Sequence, residues 1–247
     1  MNKLNKLFFL TAISSLIGIQ TAQATSTFSA NSFVTITVDS ITNTTHAGDH
    51  SELDIYGLFE IADADSAPGF GQDVTGDGNS FYTYVGGEID SYTSPVNAGD
   101  SFSQAFSSVG GVNNGYVDAY YQAFGGLEFV NNSSDSFTIE YSLSYNLNAF
   151  VAGDFATNTV ALEYFNDWGD IDGYEEAAAS TPFDVFGQNF GTKNFVLDLG
   201  EFESDIFYAD VSITGYAEAV APVPLPAAGW LMLSGLVFLR NFRKSAT

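Results

Sequence analysis

The sequence predicts an all-β protein, an antiparallel β-sandwich, and three observations support this. The chain is rich in aromatic residues and glycine, and in Thr and Ser, a composition that favours pleated strands and tight turns over helices. Apolar and polar residues alternate strictly from Phe137 to Ala149, which places one face of a long strand in the core and the other in water. Clusters of Gly, Asn and Asp recur between such segments as turn signals.

The other strands are predicted wherever the same alternation, or a run of β-branched and aromatic residues, occurs between turns. Residues 100–109 have the apolar spacing of a helical turn, and residues 175–180 are a second helical candidate. About ten short strands with little helix indicate a sandwich of the Ig-like or jelly-roll-like kind. The loops at 131–135 and 199–201 resemble those of Ig-like bacterial surface domains at the level of fold alone. The predicted strands cover 34–38, 53–62, 80–90, 116–131, 137–149, 160–164, 193–199 and 207–213.

The charge of the central part of the chain limits its partners. All 30 acidic residues lie between Asp39 and Glu218, where Lys193 is the only basic residue. Nucleic acids and anionic membrane surfaces require clusters of Lys and Arg, so they are excluded as partners. The acidity favours solubility, cation binding or a saline environment, or is a solvated surface without a ligand. The absence of cysteine excludes disulfides, thiolate metal sites and Cys nucleophiles.

The N-terminus is typical of a secretory signal peptide. Two lysines open the chain, an apolar stretch covers residues 7–19, and Ala22 and Ala24 form an A-x-A cleavage site. We therefore predict that residues 1–24 are a signal peptide removed by signal peptidase. An uncleaved membrane anchor is the alternative.

The C-terminus combines a proline-rich motif, an apolar helix and a basic end. Pro226 suits the first position of a helix, and about 17 residues to Phe242 would span about 25 Å, slightly short of a typical bilayer core of about 30 Å. We predict a sandwich domain at 25–218, a linker at 219–222, and a sorting signal at 223–247 with a transmembrane helix at about 226–242. A buried core helix is the alternative. The motif is Val223, Pro224, Leu225, Pro226 and Ala227, and the basic stop is Arg240, Arg243 and Lys244.

Residues 223 to about 244 resemble the VPLPA variant of the PEP-CTERM sorting domain, in the motif, the apolar helix and the basic terminus. The resemblance implies a Gram-negative bacterial protein that is an inner-membrane intermediate and a substrate of an exosortase. That membrane enzyme cuts near the motif and delivers its substrate to the cell surface or the extracellular space. Such proteins commonly come from bacteria that make exopolysaccharide and biofilm. The motif residues are then recognised by another enzyme and are not catalytic in this chain.

One segment has the spacing of a calcium loop. Asp73, Thr75, Asp77 and Asn79 place oxygen atoms at alternate positions, with glycine at the sixth, as in the first half of an EF-hand loop. The acid expected at the twelfth position is absent, because Tyr84 stands there. The segment is therefore a candidate calcium site or a simple Gly/Asp turn.

A second acidic segment surrounds an aromatic side chain. Trp168, with Asp170 and Asp172, is a candidate loop for binding a cation or stacking against a sugar, and an exposed insertion loop is the alternative. His46 and His50 have a spacing that would suit a transition metal on a helix, but their surroundings read as a surface turn.

The function predicted from these features is that of a non-enzymatic exported protein of the cell surface or the extracellular matrix, sorted by an exosortase. The sequence contains no G-x-S-x-G elbow or comparable catalytic motif. The alternative is a calcium-dependent carbohydrate-binding or adhesion module with exopolysaccharide as its partner.

Overall fold

Eleven β-strands and no helix make up the part of the chain that the computed structural model describes, residues 25–62, 70–86 and 97–220. The predicted signal peptide and sorting signal lie outside these residues. Among the described residues there is no helix of the length and apolarity that a membrane span requires. The strands are β1 (Ser26–Asn43), β2 (Leu53–Ile61), β3 (Gly71–Val74), β4 (Asn79–Val85), β5 (Ser101–Val112), β6 (Gly115–Asn131), β7 (Phe137–Ala152), β8 (Phe155–Asn166), β9 (Asp172–Ser180), β10 (Phe186–Leu199) and β11 (Ser204–Ala219).

The strands form two antiparallel sheets that enclose the core. The five-stranded sheet has the order β10-β7-β1-β5-β4, and the six-stranded sheet has the order β2-β6-β11-β8-β9. The short strand β3 pairs with β6 beyond the end of β2. The prediction of an all-β antiparallel fold is confirmed, and the arrangement is consistent with a β-sandwich.

The long alternating segment forms β7 and shows how the core is built. Its odd-numbered residues from Phe137 to Val151 are buried, and its even-numbered residues face outward. The neighbouring strand β1 buries its even-numbered residues, from Phe28 to Val38, in the same way. In a central strand, therefore, the side chains at alternate positions point into the core, where the two sheets pack against each other. Each predicted strand coincides with an observed one, although the described residues Ala62 and Gly86 lie just beyond the ends of β2 and β4. Residues 87–90 of the strand predicted at 80–90 lie outside the described residues.

Both helical candidates are wrong, because the segments are strands. Residues 101–112 form β5, in which Gln104, Phe106 and Ser108 are buried and the residues between them are more exposed. Gln104, Ser108 and Gly110 at inward positions hide this alternation from the sequence. Residues 172–180 form β9, which pairs with β8. Pairing across the sheet here overrides the helix propensity of its Glu and Ala residues.

The first and last strands are central strands, and they meet at one end of the molecule. β1 lies between β7 and β5, and β11 lies between β6 and β8. The first residue of β1 is opposite Val112, and the last residue of β11 is opposite Gly115. These two partners flank the tight turn at Asn113 and Asn114. We call this the terminal end of the sandwich, because the described chain enters and leaves there.

The ladder between β6 and β11 is interrupted at Ala209 and Asp210, and two side chains replace the missing bonds. Gln104 reaches across the core and donates from Nε2 to the carbonyl of Ala209 at 2.9 Å. The carboxylate of Asp210 accepts a long hydrogen bond from the backbone N–H of Gly125 at 3.4 Å. Backbone groups that the ladder leaves unpaired are thus satisfied by side chains.

Candidate functional site

The first two predicted ligands of the calcium-loop candidate, Asp73 and Thr75, bind a neighbouring tyrosine. Asp73 ends β3, and its Oδ2 accepts a hydrogen bond from the hydroxyl of Tyr116 at 2.8 Å. Thr75 follows in the turn, and its Oγ1 accepts the backbone N–H of Tyr116 at 3.1 Å. Both oxygens therefore attach the turn between β3 and β4 to the start of β6.

The third predicted ligand, Asp77, joins this turn to the turn between β5 and β6. One carboxylate oxygen accepts the backbone N–H groups of Asn113 and Asn114, each at 2.9 Å. The other accepts the side-chain amide of Asn113 at 3.2 Å. The backbone N–H groups of Asn114 and Asn113 lower the pKa of Asp77, because they stabilise the charged form. Gly76 has a φ of 66° and packs against the carbonyl of Asn114.

The fourth predicted ligand, Asn79, is the first residue of β4 and pairs with Gly111. The four predicted ligands are therefore spread along a turn whose oxygens bind N–H and O–H donors of the adjacent strand and turn. Within residues 25–62, 70–86 and 97–220, no three His, Asp or Glu side chains are grouped so that they could hold a metal ion. The hydrogen bonds account for the turn without an ion, and calcium stays a prediction.

The Trp168 loop is the hairpin turn between β8 and β9. Trp168 is 42% exposed, Asp170 is exposed on the same turn, and Asp172 is exposed at the start of β9. Asn166, buried at the end of β8, accepts the N–H of Ile171 at 2.9 Å and donates to the carboxylate of Asp205 at 2.8 Å. The loop is thus held from below by buried polar groups, while its indole and carboxylates face solvent.

Burial raises the pKa of Asp205, the carboxyl group beneath this loop. Asp205 is 2% exposed and accepts hydrogen bonds from Asn166 and from the backbone of Ile206. Its pKa is raised, because removal from water penalises the charged form more than these bonds stabilise it. Asp205 serves to position the loop.

The histidine segment forms a structural network at the opposite end from the chain termini. His46 Nδ1 lies 2.8 Å from Asp135 and the imidazole is largely exposed. The buried Asn43 donates to Asp135 at 2.7 Å and accepts the backbone N–H groups of Thr45 and His46. The hydrogen bond from Asn43, followed by the one from His46, lowers the pKa of Asp135. His50 instead packs edge-on against Phe137. The two histidines thus have different partners.

The outer surface of the five-stranded sheet shows a pattern that the sequence analysis missed. Its outward side chains form rows across the strands, in which apolar rows alternate with rows of amides and hydroxyls. Four of these rows contain no charged residue, and we call the surface that they form the uncharged face. Farther from the terminal end, the same side of the sheet has Asp39, Glu140 and Asp198. From the terminal end the rows are Phe186, Phe150, Ser29, Val109 and Phe81; Gln188, Asn148, Asn31, Ser107 and Thr83; Phe190, Asn146, Phe33, Ala105 and Val85; and Thr192, Ser144, Thr35 and Ser103.

The apolar side chains of the uncharged face are open to solvent. Phe190 is 70% exposed, Phe33 is 52% exposed and Phe186 is 55% exposed. On a single strand each of these residues looks like an isolated exposed aromatic, which is common on protein surfaces. The register of the strands brings them together on one face, where exposed aromatic rings recur among uncharged polar side chains. Such a concentration of exposed apolar side chains makes this face a candidate interaction site.

Hydrogen bonds between neighbouring strands hold the polar rows in place. Asn148 donates to Asn31 and to Asn146, each at 3.0 Å. The hydroxyls of Thr35 and Ser103 lie 2.8 Å apart on adjacent strands. Because these side chains bind one another, their remaining donors and acceptors keep fixed positions on the face.

The outer surface of the six-stranded sheet has the opposite character. Tyrosines and carboxylates alternate on it, and Tyr174 donates to Glu176 at 2.6 Å while Tyr216 donates to Glu218 at 2.9 Å. The bond to Glu176 raises the pKa of Tyr174 to about 12. The acidic residues on this surface include Asp54, Glu60, Asp118, Glu128, Glu163, Glu176, Asp210 and Glu218. The charge of the domain is therefore distributed unequally between its two outer surfaces.

Comparisons with known proteins give no further information about this site, because no family model, curated protein or solved structure matches the chain.

Proposed function

We propose that this is a non-enzymatic protein that a Gram-negative bacterium exports and delivers to its surface or extracellular matrix. In this proposal signal peptidase cleaves after Ala24, and an exosortase recognises the motif from Val223 to Ala227. The observation that carries the proposal is the tripartite C-terminal signal, with its proline-rich motif, apolar helix and basic stop. The finer arrangement we propose is jelly-roll-like, since seven of the ten connections between strands pass from one sheet to the other.

The position of the chain ends supports this order of events. Ser26 and Ala219 both lie at the terminal end of the sandwich, on either side of the same tight turn. A domain attached to the inner membrane through both its leader and its tail would be held there by one end.

The test of sorting is the location of the protein in its own host. Deletion of residues 223–247 should remove the membrane-associated intermediate and the surface-associated product. A second variant, Pro224→Ala with Pro226→Ala, changes the motif and leaves the hydrophobic segment and the basic residues in place. It should accumulate in the inner membrane as an unprocessed form. Normal surface delivery of either variant would contradict the proposal.

The proposal that the protein is non-enzymatic has a separate test. The purified protein should show no turnover on a broad panel of glycans and esters. Reproducible hydrolysis that one acid-to-amide substitution abolishes would show that the protein is an enzyme.

A carbohydrate-binding or adhesion module is the second candidate function, and the aromatic rows of the uncharged face favour it. In the calcium-dependent form of this proposal, the turn at 73–79 holds the ion and Trp168 stacks against a sugar. Calorimetry tests the calcium requirement, since millimolar calcium should then raise the melting temperature and strengthen binding to the host's exopolysaccharide.

A further inference from the structure

We propose that the uncharged face binds an electrically neutral polysaccharide chain, with aromatic rings against the apolar faces of the sugars and amides against their hydroxyls. The inference rests on the proposed non-enzymatic role and names the class of partner. It assigns binding to the five-stranded sheet, away from the turn at 73–79 and the Trp168 loop, and it requires no metal ion.

The spacing of the rows suits an extended polymer. Phe190 and Phe33 lie in one row on either side of Asn146, two strands apart, which corresponds to about 10 Å. Phe186 and Phe150 lie side by side in the other apolar row, four residues away along the strands, or about 13 Å. The row of Gln188, Asn148 and Asn31 runs between them. A polysaccharide chain that runs along the strands, and so passes over successive rows, thus meets rings and amides alternately.

The chemistry of the face matches that of a sugar. A sugar ring has C–H groups that pack on the electron-rich face of an aromatic ring, and hydroxyls that donate and accept hydrogen bonds at its edge. Amide and hydroxyl side chains offer donors and acceptors together. Since Asn148 is already tied to Asn31 and Asn146, little side-chain freedom is lost when a ligand binds.

The charge of the protein favours a neutral polymer over an acidic one. The body of the chain has 30 acidic residues and one basic residue, so an anionic polysaccharide is repelled wherever it approaches. The uncharged face is a surface where a ligand displaces water without burying a carboxylate.

The same charge argues against a second copy of the chain as the occupant. Stacking two uncharged faces would bring together two bodies that each have a large negative charge. A neutral glycan brings hydroxyls for the polar rows of the face and adds no charge.

Affinity electrophoresis tests the proposal, because the strongly acidic protein migrates fast in a native gel. The full-length chain is purified in a polyoxyethylene detergent, which contains no sugar. It is run through gels cast with galactomannan, mixed-linkage β-glucan, dextran or alginate, with EDTA present throughout. We expect at least one of the three neutral polymers to retard the protein and alginate not to do so.

Variants locate the binding surface. Phe33→Thr with Phe190→Thr removes both rings of one row, and we expect it to weaken binding at least tenfold. Phe202→Ala is the matched control, because Phe202 is 68% exposed in the loop between β10 and β11 and is not on the face. Its binding should equal that of the wild type. Far-UV circular dichroism checks the fold, and Phe186→Thr is the second variant if the double variant is misfolded.

Several results would overturn the proposal. One is the absence of retardation by all three neutral polymers, and another is retardation by alginate alone. Equal binding by the wild type and the Phe33/Phe190 variant would place any site elsewhere. A dimer in analytical ultracentrifugation that this variant dissociates, without glycan binding, would assign the face to a second copy. Sorting is tested separately in cells, so its failure and the failure of glycan binding can be told apart.

Discussion

The ammonium group of Lys193 on β10 lies 2.5 Å from the carboxylate of Glu175 on β9, and this ion pair joins the edge strands of the two sheets. Asn189 adds hydrogen bonds to the carboxylate of Glu175 and to the carbonyl of Glu176. The only basic residue among all the acids of the body is thus used to close one side of the sandwich. Where cations are so few, their positions are informative.

Replacing Lys193 should loosen this edge. We expect Lys193→Met to lower the melting temperature by a few degrees at most, because the ion pair is partly exposed and screened. Lys193→Arg is the control, since it keeps the charge, and it should melt close to the wild type. Thermal melts monitored by circular dichroism at low and high salt measure the difference, which should shrink as salt rises.

The same pair has a pH dependence of known sign. The hydrogen bond from Lys193, more than those from the other partners of Glu175, lowers the pKa of Glu175 below the ordinary value of 4.5. A lowered carboxyl pKa stabilises the folded state above that value, and the contribution is lost as the pH falls through the folded pKa. The difference between the wild type and Lys193→Met should therefore vanish in acid. A gap that persists at low pH would contradict the ion-pair explanation.

Asp210 should make the protein less stable as the pH rises. Burial, opposed by the bond from Gly125 and reinforced by the facing carboxylate of Glu163, raises the pKa of Asp210 to about 7. Because the unfolded value is 3.8, the unfolded chain releases this proton first and the folded state loses stability between those two pH values. We expect Asp210→Asn to raise the free energy of unfolding at pH 8 by roughly 1–3 kcal/mol.

The pH of the measurement separates this explanation from a simple loss of charge. Urea titrations at pH 4 and at pH 8 should show that Asp210→Asn stabilises the protein mainly at the higher pH. Asp118→Asn is the matched control, because Asp118 is exposed on the same outer surface. An equal gain from the control would mean that any reduction of negative charge has this effect.

Gly76 should be far less replaceable than Gly48, although both have positive φ angles. A Cβ atom at Gly76 would lie 1.7 Å from the carbonyl oxygen of Asn114, whereas a Cβ atom at Gly48 has no atom within 4 Å. Alanine costs about 1–2 kcal/mol at either position because of the backbone angle. At Gly76 the clash adds roughly 2 kcal/mol or more. Denaturant unfolding of the two variants measures the difference, and equal losses would refute the close contact between the turns.

Asp77 should stabilise the protein without calcium. Its carboxylate holds the turn at Asn113 and Asn114 through hydrogen bonds that involve no ion. We therefore expect Asp77→Ala to lower the melting temperature by the same amount in EDTA and in millimolar calcium. Asp170→Ala, on the exposed hairpin turn, is the control and should change little. A stabilisation by calcium that Asp77→Ala abolishes would instead establish the predicted calcium site.

An individual strand could be predicted from the sequence where apolar and polar residues alternate along its own length. The alternation from Phe137 to Ala149 identifies β7, because each inward side chain is apolar and each outward one is polar. β5 lacks that contrast, since Gln104 and Ser108 face inward and are buried. β9 lacks it too, because small alanines occupy both of its faces. Pairing with a neighbour decides the structure in these two cases.

The candidate sites could be predicted less well, because they depend on register. The uncharged face combines residues that are far apart in sequence, such as Phe33 and Phe190, which only the strand order brings into one row. One signal of this face was present in the sequence, since Phe33 and Phe190 occupy strand positions that face outward, where polar residues are expected. The donors that surround Asp77 could not be predicted either, since Asn113 and Asn114 belong to a different hairpin.

The central positions of β1 and β11 determine when this protein can fold. One sheet needs the first strand after the predicted leader at its centre, and the other needs the last strand before the predicted tail. During synthesis from the N-terminus neither the core nor the six-stranded sheet can be completed until Ala219 has left the ribosome. Under the proposed export, the chain would therefore lack a closed core during translocation, which is the state that a channel for unfolded chains requires. A product truncated before β11 lacks the middle of a sheet, so the cell can distinguish it from the complete protein by its failure to fold.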